Sequence, residues 1–233
     1  MKELKDTIDV ILLLFRQKCA LCCAFRENMI QESTKPCDVS HLQMAWLIHS
    51  WILYPRMYSN KKEQNRVNMD VRQKYEQLTR LLIKNDLSIT TMESCTSGLI
   101  ASLITDTEGA SAIMKGACIT YSNEAKVMDG VTKEIIDNFG VYSKETALAM
   151  SKACKNKYEA DIGIGITGSF GNVDPNNPDS VPGEIYFSIS FGDDEKAFHQ
   201  SIPSQPSRHD YKLYAAELVA DKLFDTLSEK GLC

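Results

Sequence analysis

The sequence predicts an α/β fold, a three-layer α/β/α sandwich with helices on both faces of a mixed β-sheet. After residue 68, helical and strand-like periodicities follow one another along the chain. Residues 161–167 alternate Ile with Gly, which is typical of a central strand pressed closely by another element. Residues 184–191 alternate strictly, and with residues 196–202 they predict a hairpin across the turn 192–194.

The first half of the domain is predicted to run helix, strand, helix, strand. Residues 87–91 alternate like a short strand, and the polar turn 93–98 leads into an apolar helix over 99–104. Residues 118–121 form a predicted second strand. The opening helix is predicted from apolar residues at helical spacing, which are Val71, Tyr75, Leu78, Leu81 and Leu82.

The second half contains three further predicted helices and a long loop. The loop spans residues 168–183 and is rich in Asn, Asp and Pro. Cap residues mark the helix ends: Thr132 and Gly140 for a short helix, Ser143 with Glu145 for one that runs to about residue 158, and Ser207 with Asp210 for the last.

Composition excludes several classes of function. The formal net charge of -5 argues against a nucleic-acid partner, because phosphate neutralisation needs clustered Lys and Arg. The apolar run 10–15 is far shorter than the ~20 residues of a membrane helix, and no signal peptide is evident. Cys95, Cys118 and Cys154 fall in predicted core elements, which fits a reducing compartment. We therefore expect a cytoplasmic protein without a membrane partner.

The chain changes character near the polar stretch 59–66. Residues 69–233 form the predicted domain, and residues 1–68 are interpreted as an N-terminal extension of unknown role, partly helical or disordered. Cys19-x2-Cys22 and Cys37-x3-His41 have zinc-like spacing, but no stabilising pattern surrounds them. Chance is the favoured reading of this spacing, and we predict no metal and no organic cofactor.

The turn 93–98 is the first candidate for chemistry. It lies between a strand end and a helix start, where outward N–H groups favour a phosphate or an oxyanion. Ser94 is a candidate nucleophile with Lys126 or Tyr121 as its base, or else a plain helix cap. Cys95 is a rival nucleophile, since a thiol at a helix N-terminus has a lowered pKa, or else a small buried thiol. Glu93 is a general acid or base, or simply favours the helix dipole.

A second turn, Thr167-Gly168-Ser169, repeats this geometry at the carboxyl end of a strand, where α/β sheets place ligands. The two turns are therefore predicted to form one pocket. Arg208, with Lys212 one turn later on the last helix, offers cationic groups for a phosphate, although such a pair is also typical of a solvated helix face.

Together these motifs resemble the CinA C-terminal domain family. Residues 91–98 (T-M-E-S-C-T-S-G) resemble its A-E-S-C-T-G-G stretch, and residues 116–126 (G-A-C-I-T-Y-S-N-E-A-K) are similar to its G-x-x-x-T-Y-S-N-E-A-K block. Residues 140–143, 166–168 and 181–186 resemble its G-A-V-S, its strand-end T-G and its P-V-G-T-V-Y. The resemblance covers residues 69–233.

The resemblance implies a nicotinamide-nucleotide amidase, which hydrolyses nicotinamide mononucleotide to nicotinate mononucleotide and ammonia in pyridine nucleotide salvage. It makes Ser94 the nucleophile, with Tyr121 and Lys126 as the other catalytic residues. Arg208 is assigned to the ligand phosphate, and we expect a homodimer. The remaining residues that the resemblance implies for substrate binding are Glu93, Thr96, Ser97, Gly98, Asn123, Thr167 and Gly168.

Two departures from the family pattern bear on the substrate. Ser97 replaces the first glycine of T-G-G, so we expect the backbone to approach the ligand less closely. The loop after Gly168 carries a bulky Phe170 and an acidic Asp174, which we expect beside the pocket. The alternative to the amidase is therefore a non-catalytic nucleotide-binding or interaction module with the same fold.

Overall fold

The structure, a computed structural model, describes residues 70–233. The predictions made for residues 1–68, including the zinc-like spacing of Cys19, Cys22, Cys37 and His41, lie outside the described residues. Within residues 70–233 the chain forms α1 (Val71–Lys84), β1 (Ile89–Glu93), α2 (Leu99–Thr105), a 3-10 turn (Ala110–Ala112), β2 (Met114–Ile119), α3 (Asn123–Met128), α4 (Lys133–Phe139), α5 (Lys144–Tyr158), β3 (Ile162–Gly168), β4 (Glu184–Phe191), β5 (Asp194–Ser201) and α6 (Arg208–Glu229).

The five strands form one mixed sheet in the order β2-β1-β3-β4-β5. Strand β1 pairs in parallel with both β2 and β3, whereas β3–β4 and β4–β5 are antiparallel. The predicted hairpin and the mixed sheet are therefore confirmed. The three parallel strands end at the same edge, which is where the chain places its polar turns.

Helices cover both faces of this sheet. On one face, Ile164 of β3 belongs to a core cluster with Leu82 of α1 and Val219 of α6. On the other face, Met92 of β1 belongs to a second cluster with Met150 of α5. The predicted three-layer α/β/α arrangement is confirmed. No helix in residues 70–233 is long and apolar enough to cross a membrane.

Helix α5 lies unusually close to β3. A Cβ atom added at Gly163 would lie 2.2 Å from the carbonyl oxygen of Ser151, and one at Gly165 would lie 2.2 Å from that of Ala147. The hydroxyl of Ser188 on β4 also donates to the Ala147 carbonyl, at 2.6 Å. The Ile-Gly alternation of β3 is thus explained, because the glycines let the helix backbone contact the strand.

This packing determines which side chains reach the candidate site. Side chains alternate between the faces of a strand, so Ser94, two residues after Met92, points to the α5 face. Thr120 follows Cys118 in the same way, and Thr167 follows Gly165. Three polar side chains therefore share the face of the sheet on which α5 begins.

The predicted helix starts agree with the structure better than the strand limits do. The Ser143 hydroxyl accepts from Thr146 N at 3.1 Å, and that of Ser207 accepts from Asp210 N at 3.2 Å. Strand β1 spans Ile89–Glu93 rather than 87–91, and β2 spans Met114–Ile119 rather than 118–121. The predicted limits of β1 were wrong because all five of its residues are buried, so the strand shows no alternation in burial.

Replacing Gly165 tests the close approach of α5. We predict that Gly165→Ala lowers the free energy of unfolding by about 3 kcal/mol or more, because the new methyl group overlaps helix backbone atoms. Gly192→Ala is the control, since its methyl group meets nothing within 4 Å and bears only the left-handed backbone strain of about 1–2 kcal/mol. Equal losses in urea unfolding of the two variants would contradict the packing argument.

Candidate active site

A serine and a lysine meet at the carboxyl edge of the sheet. The Nζ atom of Lys126, near the end of α3, donates to Ser94 Oγ at 3.1 Å and to the carbonyl oxygen of Thr120 at 2.9 Å. Lys126 is 1% exposed and Ser94 is 6% exposed. The structure therefore brings together two of the three residues predicted to be catalytic, in a setting from which water is largely excluded.

Burial changes the acidity of this lysine. Desolvation lowers the pKa of Lys126 from 10.5 to about 8, and the negative charges of Asp174 and Glu124 oppose that decrease. A side chain with a pKa near the working pH can take up and return a proton. Once neutral, the amine can accept the proton of Ser94 Oγ while it still donates to the Thr120 carbonyl.

The carboxylate of Glu93 organises the turn after β1. Glu93 is fully buried, and its oxygens accept from the backbone N–H groups of Gly98, Ile100 and Ala101 at 2.9–3.1 Å. They also accept from the hydroxyls of Thr91, at 3.0 Å, and Thr96, at 2.7 Å. Glu93 therefore caps α2 from inside the protein, and Thr96 is turned toward it.

The structure corrects one expectation for this turn and decides between two readings of Cys95. Three N–H groups at the start of α2 already donate to Glu93, so these donors do not face a phosphate or an oxyanion. Cys95 is the small buried thiol of the two readings, and not the nucleophile of lowered pKa. Burial and the negative charge of Glu93 raise the pKa of this thiol to about 12, which leaves it protonated and a poor nucleophile.

The backbone of the turn explains why a glycine suits position 97. Ser97 has a φ of 54° and Gly98 a φ of 89°, both in the left-handed region that favours glycine. The Ser97 hydroxyl donates to the Ser94 carbonyl at 3.2 Å, a local hydrogen bond that supports this conformation. A Cβ at Gly98 would lie 2.9 Å from Ile119 Cδ1. The part of the turn that follows Ser94 is thus held by a local hydrogen bond and by close packing at Gly98.

Arg208 and Tyr121 are exposed and form the outer rim of the candidate site. Arg208, the first residue of α6, donates to the Phe170 carbonyl at 3.0 Å and to Tyr121 Oη at 3.2 Å. Tyr121 is 62% exposed, and among the described residues its hydroxyl hydrogen-bonds to Arg208 and not to Ser94 or Lys126. Phe170, expected beside the pocket, instead stacks in the core on Tyr211, with ring centroids 5.4 Å apart. The Phe170 ring is buried because α6 provides an aromatic ring on which it stacks.

A polar network fastens the loop 169–183 above α3. Asn123 Nδ2 donates to Asn177 Oδ1 at 2.9 Å, and Asn177 in turn donates to Asp174 at 2.7 Å. The hydroxyl of Tyr142 donates to the same carboxylate at 2.7 Å. Although partial burial acts to raise the pKa of Asp174, the hydrogen bonds from Asn177 and Tyr142 lower it overall. A permanent negative charge therefore stands near Lys126.

Thr167 and Gly168, predicted to line the wall opposite Ser94, also make contacts that stabilise the fold. Thr167 is fully buried and its hydroxyl donates to the Val141 carbonyl at 3.1 Å, while Gly168 ends β3 against the Glu184 carbonyl. Sequence reasoning missed Thr120, whose carbonyl orients Lys126. The available signal was its position two residues after Cys118, a residue predicted to be in the core.

The sequence of this chain matches a known protein family. The family model described as the CinA C-terminal domain matches residues 71–227. A CinA-like protein of Leptospira borgpetersenii serovar Hardjo-bovis (strain L550) is 34% identical over 158 residues, which are 67% of this chain and 37% of that protein. A putative competence-damage inducible protein of Halothermothrix orenii is 44% identical over 97 residues, which are 41% of this chain and 24% of that protein. The chain thus spans only about a quarter to a third of the length of these relatives.

Solved structures share the fold. The competence damage-inducible protein A (ComA) of Klebsiella pneumoniae subsp. pneumoniae MGH 78578 is similar with a TM-score of 0.64 at 21% identity, over 69% of this chain and 98% of that one. The competence/damage inducible protein CihA of Agrobacterium tumefaciens is similar with a TM-score of 0.59 at 25% identity, over 67% of this chain and 95% of that one.

The depressed pKa of Lys126 predicts a pH-dependent stability. Below pH 8 the folded chain bears the full cost of a buried charge, and between pH 8 and 10.5 the unfolded chain binds the extra proton, so stability rises with pH. We predict that the free energy of unfolding of the wild type, relative to Lys126→Met, increases by roughly 2 to 3 kcal/mol from pH 7 to about pH 10.

Urea unfolding at the two pH values measures this change, and comparing the two pH values cancels the constant contribution of the hydrogen bonds that Lys126→Met loses. Lys133→Met is the control, because the side chain of this lysine is 74% exposed and its replacement removes no buried charge. A constant difference for Lys126→Met would contradict the depressed pKa.

Proposed function

The chain belongs to the CinA C-terminal domain family, and from this premise we propose that residues 70–233 form an amidase that hydrolyses the carboxamide of nicotinamide mononucleotide. The observation that carries the proposal is the buried hydrogen bond between Lys126 Nζ and Ser94 Oγ. A serine next to a lysine of lowered pKa is a general arrangement for an activated nucleophile. The products are nicotinate mononucleotide and ammonia.

Acylation begins when neutral Lys126 takes the proton of Ser94 Oγ. The oxygen forms a bond to the carboxamide carbon and gives a tetrahedral intermediate. Lys126 then returns its proton to the amide nitrogen, the C–N bond breaks, and ammonia leaves. The product of this step is an ester between Ser94 and the nicotinoyl group. The 3.1 Å separation of Nζ and Oγ matches the reach that direct proton transfer requires.

Deacylation uses the same lysine in the same order. Neutral Lys126 takes a proton from water, the water oxygen bonds to the ester carbon, and the C–Oγ bond breaks. Ser94 Oγ recovers its proton from Lys126, and nicotinate mononucleotide is released. The carbonyl of Thr120 keeps one N–H of Lys126 occupied throughout, which directs the lone pair toward Ser94.

The rim offers a place for the ligand phosphate. Arg208 has five N–H donors and commits two of its nitrogens to Phe170 and Tyr121, so its guanidinium stays pre-oriented while further donors remain available. Tyr121 connects this cation to the buried pair, because Thr120 precedes it in the chain and accepts from Lys126. In the proposal, the carboxamide lies at Ser94 and the phosphate at Arg208, with Asn123 and Thr167 lining the walls between them.

The nucleophile is tested by two neighbouring substitutions. We predict that Ser94→Ala lowers ammonia release from nicotinamide mononucleotide by about 10³-fold or more while nucleotide binding persists. Cys95→Ala, the matched control, is expected to keep its activity because the thiol is buried and protonated.

Loss of activity in Cys95→Ala alone would exchange the two roles. The non-catalytic alternative predicts a different result: the wild type would gain thermal stability on adding the nucleotide yet release no ammonia.

The phosphate assignment is tested by Arg208→Lys, which keeps the charge and loses the planar fork. We predict that KM for the mononucleotide rises about tenfold or somewhat more, the equivalent of one charge-assisted hydrogen bond. Weak activity on the riboside, which lacks the phosphate, should stay nearly unchanged. Equal losses on both substrates would show that Arg208 acts through Phe170 and Tyr121 on the fold, and would move the phosphate to Lys212.

A further inference from the structure

The side-chain hydroxyl of Thr120 has no hydrogen-bond partner among residues 70–233. Among residues 70–233, its Oγ1 is the one buried side-chain polar atom without a hydrogen-bond partner. A buried hydroxyl left unpaired costs about 1 to 3 kcal/mol, and native proteins normally satisfy such atoms with protein, ligand or ordered water. The side chain of Thr120 is fully buried. Its hydroxyl is therefore left without a partner among the groups of residues 70–233.

The position of Thr120 links this orphan atom to the reactive pair. Its backbone N–H donates to the Glu93 carbonyl at 2.8 Å, and its carbonyl accepts from Lys126 Nζ at 2.9 Å. The unpaired hydroxyl therefore belongs to the residue whose carbonyl orients the Lys126 amine toward Ser94, and the backbone of that residue is fixed by hydrogen bonds at its N–H and at its carbonyl.

The hydroxyls of Ser122, Thr96 and Thr167 all make hydrogen bonds within the fold, unlike that of Thr120. Ser122 caps α3 by accepting from Ala125 N at 3.1 Å. Thr96 donates to Glu93 at 2.7 Å, and Thr167 donates to the Val141 carbonyl at 3.1 Å. Packing alone would be served equally by valine, which has the same shape as threonine without the polar atom. The hydroxyl of Thr120 is accordingly free to hold a small polar molecule.

We propose that Thr120 Oγ1 holds the water that hydrolyses the acyl-Ser94 intermediate, an inference that rests on the proposed amidase function. The hydroxyl accepts one hydrogen of the water and leaves the other hydrogen for neutral Lys126. Lys126 removes that second proton as the water oxygen bonds to the ester carbon. The C–Oγ bond then breaks, and Ser94 Oγ takes the proton back from Lys126. No other reactant enters the step.

Thr120→Val tests this role, because it removes the hydroxyl and preserves the shape. Acylation does not use the held water, so rapid-quench kinetics on the full chain should show a burst of ammonia equal to the enzyme concentration. A steady rate reduced about tenfold or more should follow. Both kcat and KM should fall, which leaves kcat/KM within about twofold of the wild type. Mass spectrometry of the quenched protein should find the acyl-enzyme decaying about tenfold more slowly.

Thr120→Ser is the matched control and should restore the wild-type decay rate. Hydroxylamine attacks the ester without the held water, so it should restore turnover of Thr120→Val and yield the hydroxamate. Unchanged acyl-enzyme decay in Thr120→Val overturns the inference. An equal loss of kcat and kcat/KM without a burst overturns it as well, since it would place the hydroxyl in acylation.

A crystal structure of the resting protein separates this inference from the proposed function. The wild type should hold a water within hydrogen-bond distance of Thr120 Oγ1, and Thr120→Val should lack it. Absence of ammonia release from the wild type would overturn the proposed function itself. Absence of the water in a wild type that does release ammonia would overturn only the inference about Thr120.

Discussion

The candidate site depends on the buried carboxylate of Glu93. Five donors converge on its two oxygens, three from the start of α2 and two from threonine hydroxyls. A buried charge is stable only when it is paired or fully hydrogen-bonded, so the turn has little freedom to change its path. Ser94 follows Glu93 directly and is fixed by this arrangement. Glu93, a candidate acid or base in the sequence, is therefore the residue that immobilises Ser94.

Burial of Lys126 has opposite consequences for folding and for reactivity. Desolvation destabilises the charged form, which lowers the stability of the fold at neutral pH and brings the pKa to about 8. The same decrease in pKa means that a larger fraction of Lys126 carries a neutral amine near neutral pH. The surrounding core supplies the compensation, because α5 rests directly on the glycines of β3 and an apolar cluster lies on each face of the central sheet. A site of this kind requires a tightly packed domain around it.

Much of the architecture is readable from the sequence, because glycine alternation, cap residues and hairpin periodicity are local signals. The Ile-Gly pattern of β3 and the cap at Ser143 are examples that the structure confirms. The direction of the Phe170 ring was not predictable in this way, and the sequence left two readings open for the Cys95 thiol. The ring depends on Tyr211 of a helix some forty positions later, and the thiol on its burial in the core. Side-chain environment is a tertiary property that periodicity does not encode.

The loop 169–183 is anchored by a buried aromatic ring and by a hydrogen-bonded carboxylate near Lys126. Phe170 inserts into the core, and Asp174 is tied to Tyr142 and Asn177. Val173 and Val181 are 53% and 58% exposed, so their side chains contribute little to this anchoring. Substitutions at these two positions therefore cost the fold little. The loop thus combines two fixed points with two solvent-facing side chains, so its sequence can change at Val173 and Val181 while Phe170 and Asp174 keep their positions.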